Sequence, residues 1–133
     1  MLVEHARTLS GIADASHAEY GLGGTPVITL LACSLLDQTI EVQLTPDSRL
    51  ANLYGSDHAT ERTTCSYGLA PEVQHIASEH GMRVSATDET GEVRAIERED
   101  HPFFVGTLYQ PQLSSTPETP HPVFLGLLAA LDS

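Results

Sequence analysis

The chain has 133 residues, 41% of them hydrophobic, and a formal net charge of −12; this length and apolar content suit one domain, residues 1–133, with a buried core. All six basic residues are arginine, which excludes a Schiff-base lysine, a Walker-type phosphate lysine and a polybasic patch, and makes nucleic acid and anionic membranes poor partners. No stretch approaches the roughly 18 to 20 apolar residues of a membrane span, and Met1 leads into an acidic amphipathic segment, so the sequence predicts a cytoplasmic protein without a membrane partner.

Leu2, Val3, Ala6 and Leu9 recur at helical spacing before Ser10-Gly11 and predict a short first helix whose apolar stripe needs a sheet to cover. Residues 14–25, rich in Gly, Ala, Ser and Asp, read as a loop with at most one helical turn. Strands are predicted at 26–32, 39–44 and 61–67. A helix follows at 71–80, with Pro71 near its start and Gly81 just past its end. Residues 82–87 and 92–97 flank the Gly91 turn as a β-hairpin, 103–108 is a buried strand, and 123–131 is a terminal helix. This alternation belongs to the α/β class.

Few residue patterns suggest a cofactor or metal, and none is expected. His5 and His17 flank the first helix without a recognised ligand spacing and read as solvated surface histidines. His75 and His80 are five apart and miss the i, i+4 face of zinc helices. His101 and His121 each precede a proline, where a turn or helix-start role suffices. Asp88-Glu89-Thr90-Gly91 lacks the alternating oxygen ligands of a calcium loop and reads as a hairpin turn. Cys33 lies in an apolar run that suits a buried strand, where a thiol behaves as a small inert hydrophobe. Cys65 has only Arg62 as a basic neighbour in sequence and is a speculative reactive thiol. Two cysteines in separate segments make no disulfide framework.

Short blocks in a fixed order carry one further signal: Glu4-His5-Ala6-Arg7, Gly24-Thr25-Pro26-Val27-Ile28, Leu53-Tyr54-Gly55, Glu61-Arg62, the Gly81 turn, the strand at 92–96, His101-Pro102-Phe103-Phe104-Val105-Gly106 and His121-Pro122-Val123-Phe124-Leu125-Gly126. Together they resemble the C-terminal glutaminase domain of the CTP synthases, within the class I glutamine amidotransferases. The resemblance implies the C-terminal part of a flavodoxin-like fold, a mixed sheet with flanking helices.

The resemblance also implies a lost chemistry. Enzymes of this family use a Cys thiolate on a strained elbow, a His that moves the proton and a Glu that orients the His. Their pattern Val-x-Phe-His-Pro-Glu-Phe aligns Gln110 with the histidine and Gln112 with the glutamate. A glutamine amide has no pKa near neutrality and can neither accept the thiol proton nor return it to ammonia. Ser66, just before Tyr67, stands where the family has an arginine resembling the clamp for substrate glutamine. Met1 falls inside the helix that follows the elbow, so the elbow is expected to be absent.

Three functions stay open on these residues. The chain is a catalytically inactive binding or regulatory module acting through its surface or a remnant pocket near Tyr67, Tyr109 and Gln110. It is an enzyme with altered amide or ester hydrolase chemistry. It is a non-catalytic subunit in CTP or pyrimidine nucleotide synthesis. An exposed sheet edge is expected in each case, and with it a homodimer or a protein that supplies the missing N-terminal half; the small-molecule ligand is unknown.

Overall fold

A computed structural model describes residues 1–21, 23–32 and 34–133. Two sheets meet at its centre. The first has three strands in the order β1 (Ala15–His17), β2 (Thr25–Leu30), β5 (Tyr67–Leu69); the second has five, in the order β4 (His58–Thr63), β3 (Gln38–Leu44), β6 (Met82–Asp88), β7 (Val93–Arg98), β8 (Val105–Thr107). Only β1 and β2 run parallel among the described pairs; the rest are antiparallel.

Helix α1 (Leu2–Thr8) and a 3₁₀ helix over Pro71–Ser78 pack with the first sheet around Ala6, Val27, Leu69, Ile76 and Met82. Helices α2 (Arg49–Tyr54) and α3 (Pro122–Leu131) lie with a second cluster formed by Val42, Leu44, Leu50, Ala86, Ala95 and Tyr109. The fold is thus a mixed α/β arrangement with flanking helices, as expected.

Helix α2 has no counterpart among the predicted elements because its start depends on a distant residue. Ser48 accepts the Ala51 N–H at 3.0 Å, an ordinary N-cap. The next two orphan donors, Arg49 and Leu50 N–H, go to the two carboxylate oxygens of Glu97 on β7 at 2.9 and 3.1 Å. Gly55 closes the helix at φ +65°, a conformation in which most side chains are strained. Gly126 lets α3 lie directly on α2: a Cβ there would sit 2.6 Å from a Leu53 methyl.

Several boundaries differ from expectation. The predicted loop at 14–25 contains β1, held by pairing with β2, and a 3₁₀ turn at Ala18–Tyr20. The strand expected at 61–67 is two strands in different sheets, β4 and β5, because the chain turns between Thr63 and Tyr67. The expected helix at 71–80 is a 3₁₀ helix ending at Ser78 and kinked at Val73, and His80 and Gly81 both take positive φ in the turn into β6. The strand expected at 103–108 is half-buried and spans only Val105–Thr107. The hairpin of β6 and β7 is as predicted. Its turn is built by Asp88, whose carboxylate accepts from the Thr90 hydroxyl at 2.6 Å, from the Thr90 and Glu92 amides, and from Arg94 Nε at 2.8 Å. No helix among the described residues is long and apolar enough to cross a membrane.

Candidate functional site

Of the two positions that the family pattern aligns with its histidine and glutamate, Gln110 is tied to the backbone around it. Gln110 lies three residues past β8, at the start of the 3₁₀ turn over Pro111–Leu113: its N–H donates to the Arg62 carbonyl at 3.0 Å, and its side-chain oxygen accepts the Thr64 N–H at 2.6 Å. The amide therefore clasps the 108–113 loop to the turn between β4 and β5. Gln112, two residues on, is exposed. Ser66 meets Ser34, hydroxyl to hydroxyl, at 2.9 Å, and its carbonyl accepts the Leu31 N–H at 2.7 Å. Arg62, on β4, faces Asp37 at 3.4 Å on the surface.

Cys65 is half-buried in the same turn. Its thiol donates to the Tyr67 carbonyl at 3.6 Å and its N–H to the Thr63 hydroxyl at 3.1 Å. Tyr67 itself stacks obliquely with His17, ring centres 5.4 Å apart. Cys33 lies outside the described residues.

The remnant pocket expected near Tyr67, Tyr109 and Gln110 does not bring those three side chains together. Tyr109 is 1% exposed and joins the second core, because it follows β8 with its ring on the opposite side from the Gln110 amide. There its hydroxyl meets that of Tyr54 at 3.1 Å. Tyr54 donates in turn to Glu61, and the same Glu61 oxygen lies 2.8 Å from His121 Nε2. Glu61 and the His121 side chain are almost entirely enclosed.

The tautomer of His121 follows from its second nitrogen. Nδ1 accepts the Val123 N–H at 3.2 Å and caps α3, so Nε2 carries the proton and donates to Glu61. Burial, above all, raises the pKa of both phenols, Tyr54 through Tyr109 and Glu61 as well and Tyr109 through Glu61. A ring with both nitrogens engaged and two neutral phenols makes a structural bracket, with no free lone pair on the imidazole to serve as a base. The sequence points to the helix-start role of His121 and not to its partners.

His5 also departs from expectation. It lies inside α1 and is buried beside His80, ring centres 6.2 Å apart. Desolvation first, then the positive fields of Arg98 and His80, lowers its pKa. His17 is half-buried, and its Nδ1 accepts the Glu19 N–H. No group of three or more metal-ligating side chains gathers among the described residues.

A cavity of about 240 Å³ opens on the other side of the first core. The start of α1, Ile28 and Leu69 form one wall, and β7 with Gly106–Leu108 forms the other. None of the triad-aligned residues lines it.

Fold and topology together define a glutaminase-type mixed α/β domain. No protein-family profile matches the chain. It is 30% identical over 148 aligned positions to the CTP synthase of Caulobacter sp. strain K31 and 28% identical to that of Caulobacter vibrioides strain NA1000. Each match takes in 97% of this chain, which spans 27% of the relative's length. The glutaminase domain of Trypanosoma brucei CTPS, solved with bound acivicin, superposes with a TM-score of 0.88 at 26% identity, covering 98% of this chain and 55% of that one. A GMP synthase-type protein of Thermoplasma acidophilum shares the fold alone, with a TM-score of 0.57 and 11% identity. The chain is homologous to the glutamine amidotransferase domain of CTP synthase over nearly its whole length.

Proposed function

We propose that this chain is a catalytically silent glutaminase-like domain that acts in the cytoplasm by binding, as a regulatory module beside CTP synthesis. The observation that carries the reading is the Gln110 clasp. A side chain aligned with the proton carrier of the family holds the Thr64 backbone, and an amide cannot shuttle a proton near neutral pH. Ser66 supports it, because a hydroxyl engaged with Ser34 replaces the charged clamp that a substrate carboxylate would need. His121 lends the same support, since the only imidazole in the buried network has both nitrogens occupied.

The test is ammonia release from glutamine by the purified chain and by a Gln110→His, Gln112→Glu double variant. Neither is expected to turn over, since restoring a base and its orienting acid leaves an uncharged Ser66, engaged with Ser34, where a charged clamp for the substrate carboxylate would be needed. Turnover by the wild-type chain overturns the reading outright; turnover by the double variant alone means that Gln110 and Gln112 by themselves hold the chain silent. Light scattering over a dilution series reads the binding half of the proposal: a partner-dependent domain dimerises or self-associates, whereas a stable, monodisperse monomer counts against it.

A further inference from the structure

We infer that the cavity beside the first core is a binding site for a small neutral molecule with a flat apolar body and one carbonyl oxygen, which the Arg94 guanidinium recognises. This rests on the proposal that the domain works by binding, and gives that binding a place and a ligand chemistry.

Arg94 carries the argument. It is the only arginine on the cavity wall, and no acidic residue lies there. Its side chain is 3% exposed, and its N–H donors are only partly used. Nε donates to Asp88 at 2.8 Å, and Nη2 lies 3.6 Å from Glu92. Nη1 is enclosed and has no partner among the described residues. An unpaired buried donor costs free energy that an acceptor placed in the cavity recovers. The other polar side chains of the wall do not reverse this polarity. His17 Nδ1 already accepts the Glu19 N–H at 3.2 Å, which leaves the second nitrogen of the neutral ring as a donor, and the Thr107 hydroxyl donates to the Tyr109 carbonyl at 2.8 Å. The matching ligand group is therefore an acceptor.

Charge decides between a neutral acceptor and an anion. Asp88 and Glu92 already set two carboxylates against one guanidinium, in a molecule of net charge −12. A third carboxylate would be desolvated beside a cation that is already offset, whereas a carbonyl oxygen takes the same N–H bond without that cost. Volume and walls define the body of the ligand. The cavity holds about 240 Å³, against about 150 Å³ for an engineered apolar cavity that takes benzene. Ile28, Leu69, Val93 and Ile96 supply apolar surface, so a single aromatic ring bearing a short carbonyl substituent fits.

The experiment compares three probes of nearly equal shape on the ¹⁵N-labelled 133-residue chain. They are acetophenone, α-methylstyrene, in which a methylene replaces the carbonyl oxygen, and benzoate, in which the acceptor carries a negative charge. Titrations follow the amide resonances of residues 93–96 and 106–108 and the guanidinium resonances of Arg94. Acetophenone should bind with a Kd on the order of 1 mM and shift the guanidinium signals. Benzoate should bind about tenfold more weakly. A cavity without a donor would favour the more hydrophobic α-methylstyrene by about tenfold; here it should bind no more tightly than acetophenone and leave the guanidinium signals in place. Gly106→Val fills part of the cavity while its new Cβ meets only the flexible end of Met1, at 3.0 Å, and Ile96 at 3.5 Å. It should weaken acetophenone about tenfold; should that variant not fold, the probe series on the wild-type chain decides alone. Four results overturn the inference. They are no shift at about 10 mM acetophenone, tighter binding of α-methylstyrene, which means a purely apolar hole, benzoate binding as tightly as acetophenone, which means an anion site, and unaltered acetophenone binding by a folded Gly106→Val chain, which places the probe elsewhere. Glutamine turnover by the wild-type chain overturns the silent-domain reading instead and leaves the ranking of the probes unchanged, so the two failures are distinguishable.

Discussion

Tyr109 and Gln110 are adjacent in the chain and end in opposite surroundings. Tyr109 enters an enclosed bracket with Tyr54, Glu61 and His121, whereas Gln110 reaches the half-exposed turn after β4 and holds one backbone amide. The bracket joins elements far apart in sequence: α2, β4, the end of β8 and the cap of α3. The clasp joins two neighbouring loops. Buried polar groups are costly when unpaired, so the bracket is where the fold is most intolerant of change, and the aligned catalytic positions are where it is most tolerant. Residue types at the aligned positions can therefore vary while the scaffold beneath them stays intact.

The largest effect should come from Glu61→Ala. It strips the acceptor from the Tyr54 hydroxyl and from His121 Nε2–H in a site without water access, and leaves both donors unsatisfied. A loss of about 4 kcal/mol in urea unfolding is expected, near the upper end for single substitutions. His121→Ala in the Glu61→Ala background should cost much less than His121→Ala alone, because the contact is already gone. Additive losses would mean the two side chains do not interact.

Asp88→Asn should rank second, at about 2 kcal/mol, since it weakens the partner of Arg94, whose side chain is 3% exposed. The effect depends on pH. Burial pushes the Asp88 carboxyl up, but hydrogen bonds from Thr90, Arg94 and the Glu92 amide outweigh it and hold the pKa below its ordinary 3.8. The folded state thus binds fewer protons than the unfolded state in this acidic range. The stabilisation is fully present above about pH 4 and is lost as pH falls through the depressed folded value. Unfolding followed from pH 7 to pH 2 should show the wild type and Asp88→Asn converging at the acid end; a constant gap would mean that the charge plays no part.

How much of this was legible in the sequence differs between the same two regions. The hairpin of β6 and β7 could be read directly, because Asp88 and Gly91 are local turn chemistry and the flanking alternation has period two. The α3 start at His121-Pro122 was equally local. Helix α2 was not legible, since its cap includes Glu97, 47 residues after Leu50. Nor was the bracket, whose four members contact one another only after α2, β4, the segment after β8 and the cap of α3 have packed. Gln110, Gln112 and Ser66 stand out in the sequence only through the resemblance to the family pattern. The partners of Gln110 and Ser66, Thr64 and Ser34, were not legible, because a hydrogen bond between loops leaves no periodic trace.

The clasp offers the smallest and most discriminating change. Gln110→Ala removes the acceptor for one half-exposed amide, which water can replace, so only about 1 kcal/mol of stability should be lost. Its signature should be local: faster hydrogen exchange at Thr64 and its neighbours, with β3, β6 and the bracket unchanged. Gln110→His should behave alike in stability unless its ring restores an acceptor to the Thr64 amide. If Gln110→Ala instead unfolds the domain as severely as Glu61→Ala, the aligned catalytic position has become part of the core. The division between a tolerant site and an intolerant bracket would then be wrong.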